Sequence, residues 1–90
     1  MKKIFVNGCF DILHPGHISL IKYAKSLGDF LLVATDTDTR IASSKGPSRP
    51  INNLKSRIIM LESIRYIDRV SSFDSDFALE ELIKNFKPDI

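Results

Sequence analysis

Gly8-Cys9-Phe10-Asp11-Ile12-Leu13-His14-Pro15-Gly16-His17 is the stretch on which the reading of this chain turns. It follows Ile4-Phe5-Val6, a short β-branched and aromatic run that reads as a buried strand ending in a turn at Asn7-Gly8. It precedes Ile18, Leu20, Ile21, Ala24 and Leu27, apolar positions spaced like one helix face, with Lys22, Lys25 and Ser26 outside it. Pro15 suits the first helical turn, where a missing N–H costs nothing, and Gly28 suits the position just past the helix end. Phe30-Leu31-Leu32-Val33-Ala34 follows as a near-continuous apolar strand, the pattern of a strand covered on both faces. The stretch therefore sits between a first strand and a first helix, at the carboxyl end of a strand, where open α/β sheets bind ligands.

Further along, Thr35 to Asn53 is polar, contains Gly46, Pro47 and Pro50, and reads as a long connection of the kind that is usually functional. A helix is expected over Leu54 to Ile67, with Leu54, Ile58, Leu61 and Ile64 on one face. Val70 begins a weak third strand. Asp76 is positioned to cap a last helix carrying Leu79, Leu82, Ile83 and Phe86 and ended by Pro88. This alternation predicts an α/β fold, a Rossmann-like parallel sheet with helices on both faces. Residues 1–90 form a single domain with no repeat and no linker.

Composition narrows the function classes. The chain has 90 residues, 43% of them apolar and 27% charged, ordinary globular usage that argues against disorder. No apolar run approaches the ~20 residues of a membrane span, and the Met1-Lys2-Lys3 start lacks the long apolar stretch of a signal peptide. Cys9 is the lone cysteine, so no internal disulfide forms and a reducing, cytoplasmic setting is expected. A net charge of +2 carries no basic stripe for nucleic acid.

Both histidines of the chain fall within the opening stretch. They flank a helix start, which offers free N–H groups and about half a positive charge. Gly8 lets the backbone turn or approach a ligand closely, and Gly16 adds no side chain where a phosphate needs room. Two imidazoles beside a helix N-terminus make a phosphate site with tunable donors. Zinc is disfavoured, because a structural site wants four ligands and this chain has a single cysteine and no third histidine. A His-x-x-His pair also has a purely structural reading. Phe10 has one as a core aromatic, and Cys9 as a small buried hydrophobe. Lys45 and Arg49 read equally as solvated loop charges, and Arg57 and Arg65 as surface partners of Glu62.

Gly8-x-Phe10-Asp11-x-x-His14-x-Gly16-His17 resembles the signature of the cytidylyltransferase-like nucleotidyltransferases, whose hallmark is His-x-Gly-His. Lys45-Gly46-Pro47-Ser48-Arg49-Pro50-Ile51 resembles the corresponding loop of heptose 1-phosphate adenylyltransferases, and Arg57 with the later Arg65-Tyr66-Ile67-Asp68 is similar to that group and to glycerol-3-phosphate cytidylyltransferases. The resemblance implies transfer of a nucleotidyl group from a nucleoside triphosphate, ATP favoured, to a sugar or polyol phosphate, with release of pyrophosphate. It makes His14, His17 and Lys45 the catalytic candidates. It places Gly8, Cys9, Phe10, Asp11, Gly16 and Arg65 with the histidines around the nucleotide, and Lys45 and Arg49 around the acceptor; Asp38, at the end of the second strand, is a further acceptor candidate and reads equally as a turn residue. It implies Mg2+ bridging phosphates with few or no protein ligands, and a homo-oligomer, a dimer. Transfer from CTP to glycerol 3-phosphate and a non-catalytic nucleotide-binding module stand as alternatives. Members of the family continue past a Lys-Pro-Asp segment into further strands and a second nucleotide motif. The expectation is therefore an N-terminal fragment lacking its C-terminal strands, with the first strand left at an open edge.

Overall fold

A computed structural model describes residues 1–90. Three strands, β1 (Lys3–Gly8), β2 (Phe30–Asp36) and β3 (Arg69–Phe73), form one parallel sheet in the order β1-β2-β3. Four helices connect or follow them: α1 (Pro15–Ser26), α2 (Asp38–Lys45), α3 (Leu54–Glu62) and α4 (Asp76–Phe86). In register, Ile4 lies beside Leu31 and Val6 beside Val33, while Val33 lies beside Val70. Alternate side chains share a face, so these residues form one apolar surface. Ile21 and Ala24 of α1 and Leu61 of α3 pack on it, and Phe10 joins the same core. Phe5 and Phe30 point to the other face, where Phe86 of α4 meets them with ring centroids 6.4 and 6.0 Å away. Helices therefore cover both faces, as the near-continuous apolar β2 requires; Leu31 to Thr35 are all buried.

Several boundaries differ from expectation. The strand runs through Gly8, and the residue that turns the chain is Phe10, at φ 49°. The connection from Thr35 to Asn53 contains α2, a polar helix anchored by one buried residue, Ile41. Helix α3 stops at Glu62 rather than Ile67, with Ser63 at its C-cap. The 63–68 turn instead brings Asp68 to the start of β2, where its carboxylate accepts from Leu31 N–H at 2.8 Å and pairs with Lys25. The last helix is capped by Ser75, whose hydroxyl accepts from Ala78 N–H, so Asp76 is its first residue and not its cap. Leu20, counted on the apolar face of α1, is half exposed at 50%.

The outer edge of β1 is not bare along its length. Asp89 and Ile90 lie against it, with Asp89 N–H donating to Lys3 O at 2.7 Å and Phe5 N–H to Ile90 O at 3.0 Å. The Asp89 carboxylate accepts from Lys3 N–H at 2.7 Å.

Leu31→Ala removes a fully buried side chain at the centre of the sheet and is expected to destabilise by about 2–5 kcal/mol. Leu20→Ala, on the exposed flank of α1, is expected to stay within about 0.5 kcal/mol. Urea unfolding of the two variants checks the assignment of the α1 face.

Candidate functional site

The turn from β1 to α1 is short and tightly held. Cys9 O accepts from Thr35 Oγ1 at 2.8 Å and from Arg57 Nη1 at 3.0 Å. Phe10 follows with a positive φ, a conformation that costs an L-residue about 1–2 kcal/mol and is uncommon for a bulky side chain. Its ring is buried. It fills the space that a Cβ on Gly8 would enter, with Phe10 Cε2 only 3.0 Å from that position. Gly8 thus makes room for the Phe10 ring. The ring then meets His17 edge-on, with centroids 5.5 Å apart.

The start of α1 is closed on itself. His14 is the N-cap, and its Nδ1 accepts from Gly16 N–H at 3.0 Å. His17 reaches back so that its Nδ1 accepts from His14 N–H at 3.3 Å. His17 N–H and Ile18 N–H both donate to His14 O. Pro15 has no N–H. The free helix-start amides expected from the sequence are therefore already engaged, and the imidazoles stand in their place. Because both Nδ1 atoms accept, the neutral rings carry their protons on Nε2, assigned here from the hydrogen-bond network. The two rings lie 3.9 Å apart at 31°. The chain thus presents two Nε2–H donors, side by side, at the positive end of a helix. Gly16 serves the same closure. A Cβ there would lie 2.8 Å from His14 Cε1, so the absent side chain accommodates the cap ring.

Burial lowers the pKa of His17 below its ordinary 6.5, and the neighbouring His14 pushes in the same direction. His17 is thereby suited to donate as a neutral group near pH 7.

Asp11 faces away from the histidines. Its carboxylate, 7% exposed, accepts from Ile51 N–H at 3.0 Å and Asn52 N–H at 2.8 Å, and pairs with Arg49 at 3.2 Å. Asn52 Nδ2 donates back to Asp11 O. Burial raises this carboxyl, and the donors from Asn52, Ile51 and Arg49 outweigh it, so its pKa is lowered. Asp11 therefore orients the Gly46–Asn53 segment against the signature turn. Arg49, expected at the acceptor, is here the partner of Asp11.

Asp38 begins α2 and does not close β2. Its carboxylate pairs with Arg57 at 2.7 Å. Lys45 is the last residue of α2 and is exposed. Arg65 is in the turn after α3, not on the helix, and donates to Tyr66 Oη at 2.9 Å while stacking over that ring. The structure thus brings Gly8, Cys9, Phe10, Asp11, His14, Gly16 and His17 into one unit, attaches Arg49 to it, and leaves Lys45 and Arg65 at its margins. A cavity of about 600 Å³ opens beside His14, lined also by Ile18, Lys22 and Tyr66. The other large cavity, about 350 Å³, lies against α4 on the opposite face and contains no signature residue.

Thr35 and Asn52 are neighbours of the site that sequence reading missed, whereas Arg57 is part of the family resemblance and only its surface placement was wrong. Arg57 is fully buried, not paired with Glu62 at the surface. A signal for it existed: it lies four residues before the buried Leu61, on the inner face of α3.

No three side chains among His, Cys, Asp and Glu converge on a metal-sized site. The only carboxylate of the signature, Asp11, is engaged by its donors.

A parallel sheet that delivers two imidazoles to the start of its first helix defines an α/β domain of the nucleotidyltransferase-like class. Residues 5–90 match the family described as cytidylyltransferase-like, and the chain belongs to that family. It is 52% identical over 89 residues to the bifunctional protein HldE of Marinomonas sp. (strain MWYL1) and 47% identical over 90 residues to that of Caulobacter vibrioides. Those matches cover 99% and 100% of this chain and 18% of each relative, so the chain spans about a fifth of the length of these relatives. The fold is similar to the crystal structure of the lipopolysaccharide core biosynthesis protein from Thermoplasma volcanium GSS1, with a TM-score of 0.84 and 30% identity, over 99% of this chain and 70% of that one. No helix is long and apolar enough to cross a membrane.

Two predictions follow from the helix start. The His17 pKa is lower folded than unfolded, so the unfolded chain binds more protons between the two values. Stability is then full above about 6.5 and falls as the pH drops below it; His17→Asn flattens that limb. Asp11 and Asp68, with lowered pKa values, hold their contribution above 3.8 and lose it as the pH falls through their folded values. Denaturant midpoints measured against pH separate the two limbs.

Gly16→Ala forces the His14 ring off its cap. A loss of about 0.5–2 kcal/mol is expected in urea unfolding, as for other lost N-caps, with a displaced His14 ring resonance.

Proposed function

We propose that the protein transfers a nucleotidyl group from ATP to a sugar phosphate, releasing pyrophosphate. The observation that carries this reading is the paired Nε2–H donors, left outward-facing in chemical terms because each Nδ1 accepts from a backbone N–H. A phosphate oxygen of the acceptor attacks the α-phosphorus, and the bond from that phosphorus to the bridging oxygen breaks. Pyrophosphate leaves with the electron pair. Such a step asks the protein for alignment and charge stabilisation rather than covalent chemistry. His14 and His17 donate to the α-phosphate as negative charge builds there. Donors fixed beforehand by their own hydrogen bonds spend little on reorganisation. Lys45, on the exposed end of α2, reaches the phosphates on its flexible stem, and Arg65 contacts the nucleotide beside the cavity next to His14.

Magnesium would enter as a companion of the triphosphate, since this chain gathers no cluster of ligands for it. Bound there, the ion neutralises phosphate charge. The choice of ATP over CTP rests on the Lys45–Ile51 loop resemblance and is supported by the level of identity to the HldE relatives. The lone thiol of Cys9 suits a cytoplasmic enzyme.

Pyrophosphate release is measured with ATP, CTP, GTP and UTP against heptose 1-phosphate and glycerol 3-phosphate. Turnover is expected with ATP and the sugar phosphate, and His14→Ala or His17→Ala is expected to lower kcat by on the order of 10²–10³-fold. Turnover with CTP alone overturns the adenylyl assignment. Nucleotide binding without turnover in any combination makes the chain a binding module.

A further inference from the structure

Arg57 is a buried cation that the reaction above does not use. Its side chain is 0% exposed, and its one carboxylate partner, Asp38, is 45% exposed. Burying a guanidinium is costly, and a buried ion pair is weak evidence for stability by itself. Its position gives it a different meaning. Nη1 lies 3.0 Å from Cys9 O, 2.7 Å from Thr35 Oγ1 and 2.7 Å from Asp36 O. Nε donates to Asn52 O at 3.0 Å, and Nη2 to Asp38 Oδ1 at 2.7 Å. One planar fork therefore meets the signature turn, the end of β2, the start of α2 and the residue before the N-cap of α3. A lysine, with one compact ammonium, cannot reproduce that set of directions.

Each of these contacts leads to a site residue. Cys9 O precedes Phe10, whose ring lies against His17. Asp38 and Asn52 bracket the segment that carries Lys45 and Arg49, and Asn52 is also the partner of Asp11.

We propose that Arg57 is a positioning residue of the nucleotidyl-transfer site, holding the Cys9–Phe10 turn behind His17 and the Asp38–Asn52 segment in one fixed relation without touching substrate. The proposal rests on the nucleotidyl-transfer reading for its kinetic consequence, but not for its structural one. Arg57→Lys keeps the charge and loses the fork. Thr35→Val keeps Arg57 and removes the second donor to Cys9 O.

The test combines circular dichroism, the His17 ring resonance in an NMR pH titration, and kcat and KM for nucleotide by pyrophosphate release. In folded Arg57→Lys, the His17 resonance is expected to move and its titration midpoint to rise toward 6.5 as the turn behind it loosens. The kcat is expected to fall on the order of 10- to 100-fold, because small misplacements of reacting groups are expensive, with KM changed by less than about threefold. Thr35→Val is expected to shift the same resonance in the same direction by less, and it decides the matter if Arg57→Lys does not fold. An unmoved His17 resonance in a folded variant overturns the proposal. So does a raised KM at unchanged kcat, which would make Arg57 a substrate ligand. If the unsubstituted protein turns over no nucleotide, the reaction assigned above fails, and the His17 resonance still decides whether Arg57 holds the turn.

Discussion

The Asp11 carboxylate joins two parts of the chain that are 40 and 41 residues apart, and the rest of the site is arranged around that junction. It stands in the turn between β1 and α1 and accepts from the backbone N–H groups of Ile51 and Asn52. Backbone donors hold a carboxylate with little freedom, because the peptide has no rotamers to search. Charge-assisted bonds of this kind are also stronger than neutral ones. The junction closes the segment after α2 onto the signature turn before any ligand is considered.

The turn itself is strained, and its surroundings explain how it persists. Phe10 occupies left-handed backbone space that a bulky residue avoids. On one side, Cys9 O is tied to Thr35 and Arg57; on the other, Asp11 is tied to the 49–52 segment. With both neighbours anchored, the strain at Phe10 has no local route of release. What the strain achieves is placement. The aromatic ring fills the space above Gly8, belongs to the apolar core, and presents its surface to His17. Core packing and the donor pair are therefore continuous, and the imidazole is backed by the most rigid part of the molecule.

Much of this was legible in the sequence, for identifiable reasons. The apolar runs at residues 4–6 and 30–34 are long enough in β-branched and aromatic side chains to mark strands, and Pro15 marks the start of α1. The signature marks the family because its residue types are unusual at that spacing. Helix α2 was hidden, since Ser43, Ser44, Thr39 and Lys45 read as loop and a single apolar anchor, Ile41, gives no periodicity. The end of α3 was hidden because Ile64 and Ile67 continue the helical spacing, while the requirement that Asp68 reach Leu31 N–H is a tertiary one. The burial of Arg57 was hidden, although the residue belongs to the family resemblance. A local rule reads a charged side chain on a helix as solvated, and its acceptors in the turn, β2 and α2 lie 19 to 48 residues away.

The placement of the cations completes the physical picture. His14 and His17 are fixed by bonds at their inner nitrogens, so their geometry is set by the backbone of α1. Lys45, the last residue of α2, and Arg65, in the turn after α3, are by contrast exposed. A group that must stabilise charge at one atom gains from being immobile, because the cost of ordering it has been met in folding. In the proposed reaction, a group that follows the polyphosphate would gain from a flexible stem and a position at the rim, where its charge stays hydrated until the ligand arrives. The division between a rigid donor pair and peripheral cations follows from where this sequence puts its glycines and its buried arginine. Gly8 and Gly16 admit the Phe10 and His14 rings to positions that only an absent side chain leaves open, and Arg57 fixes the turn between them.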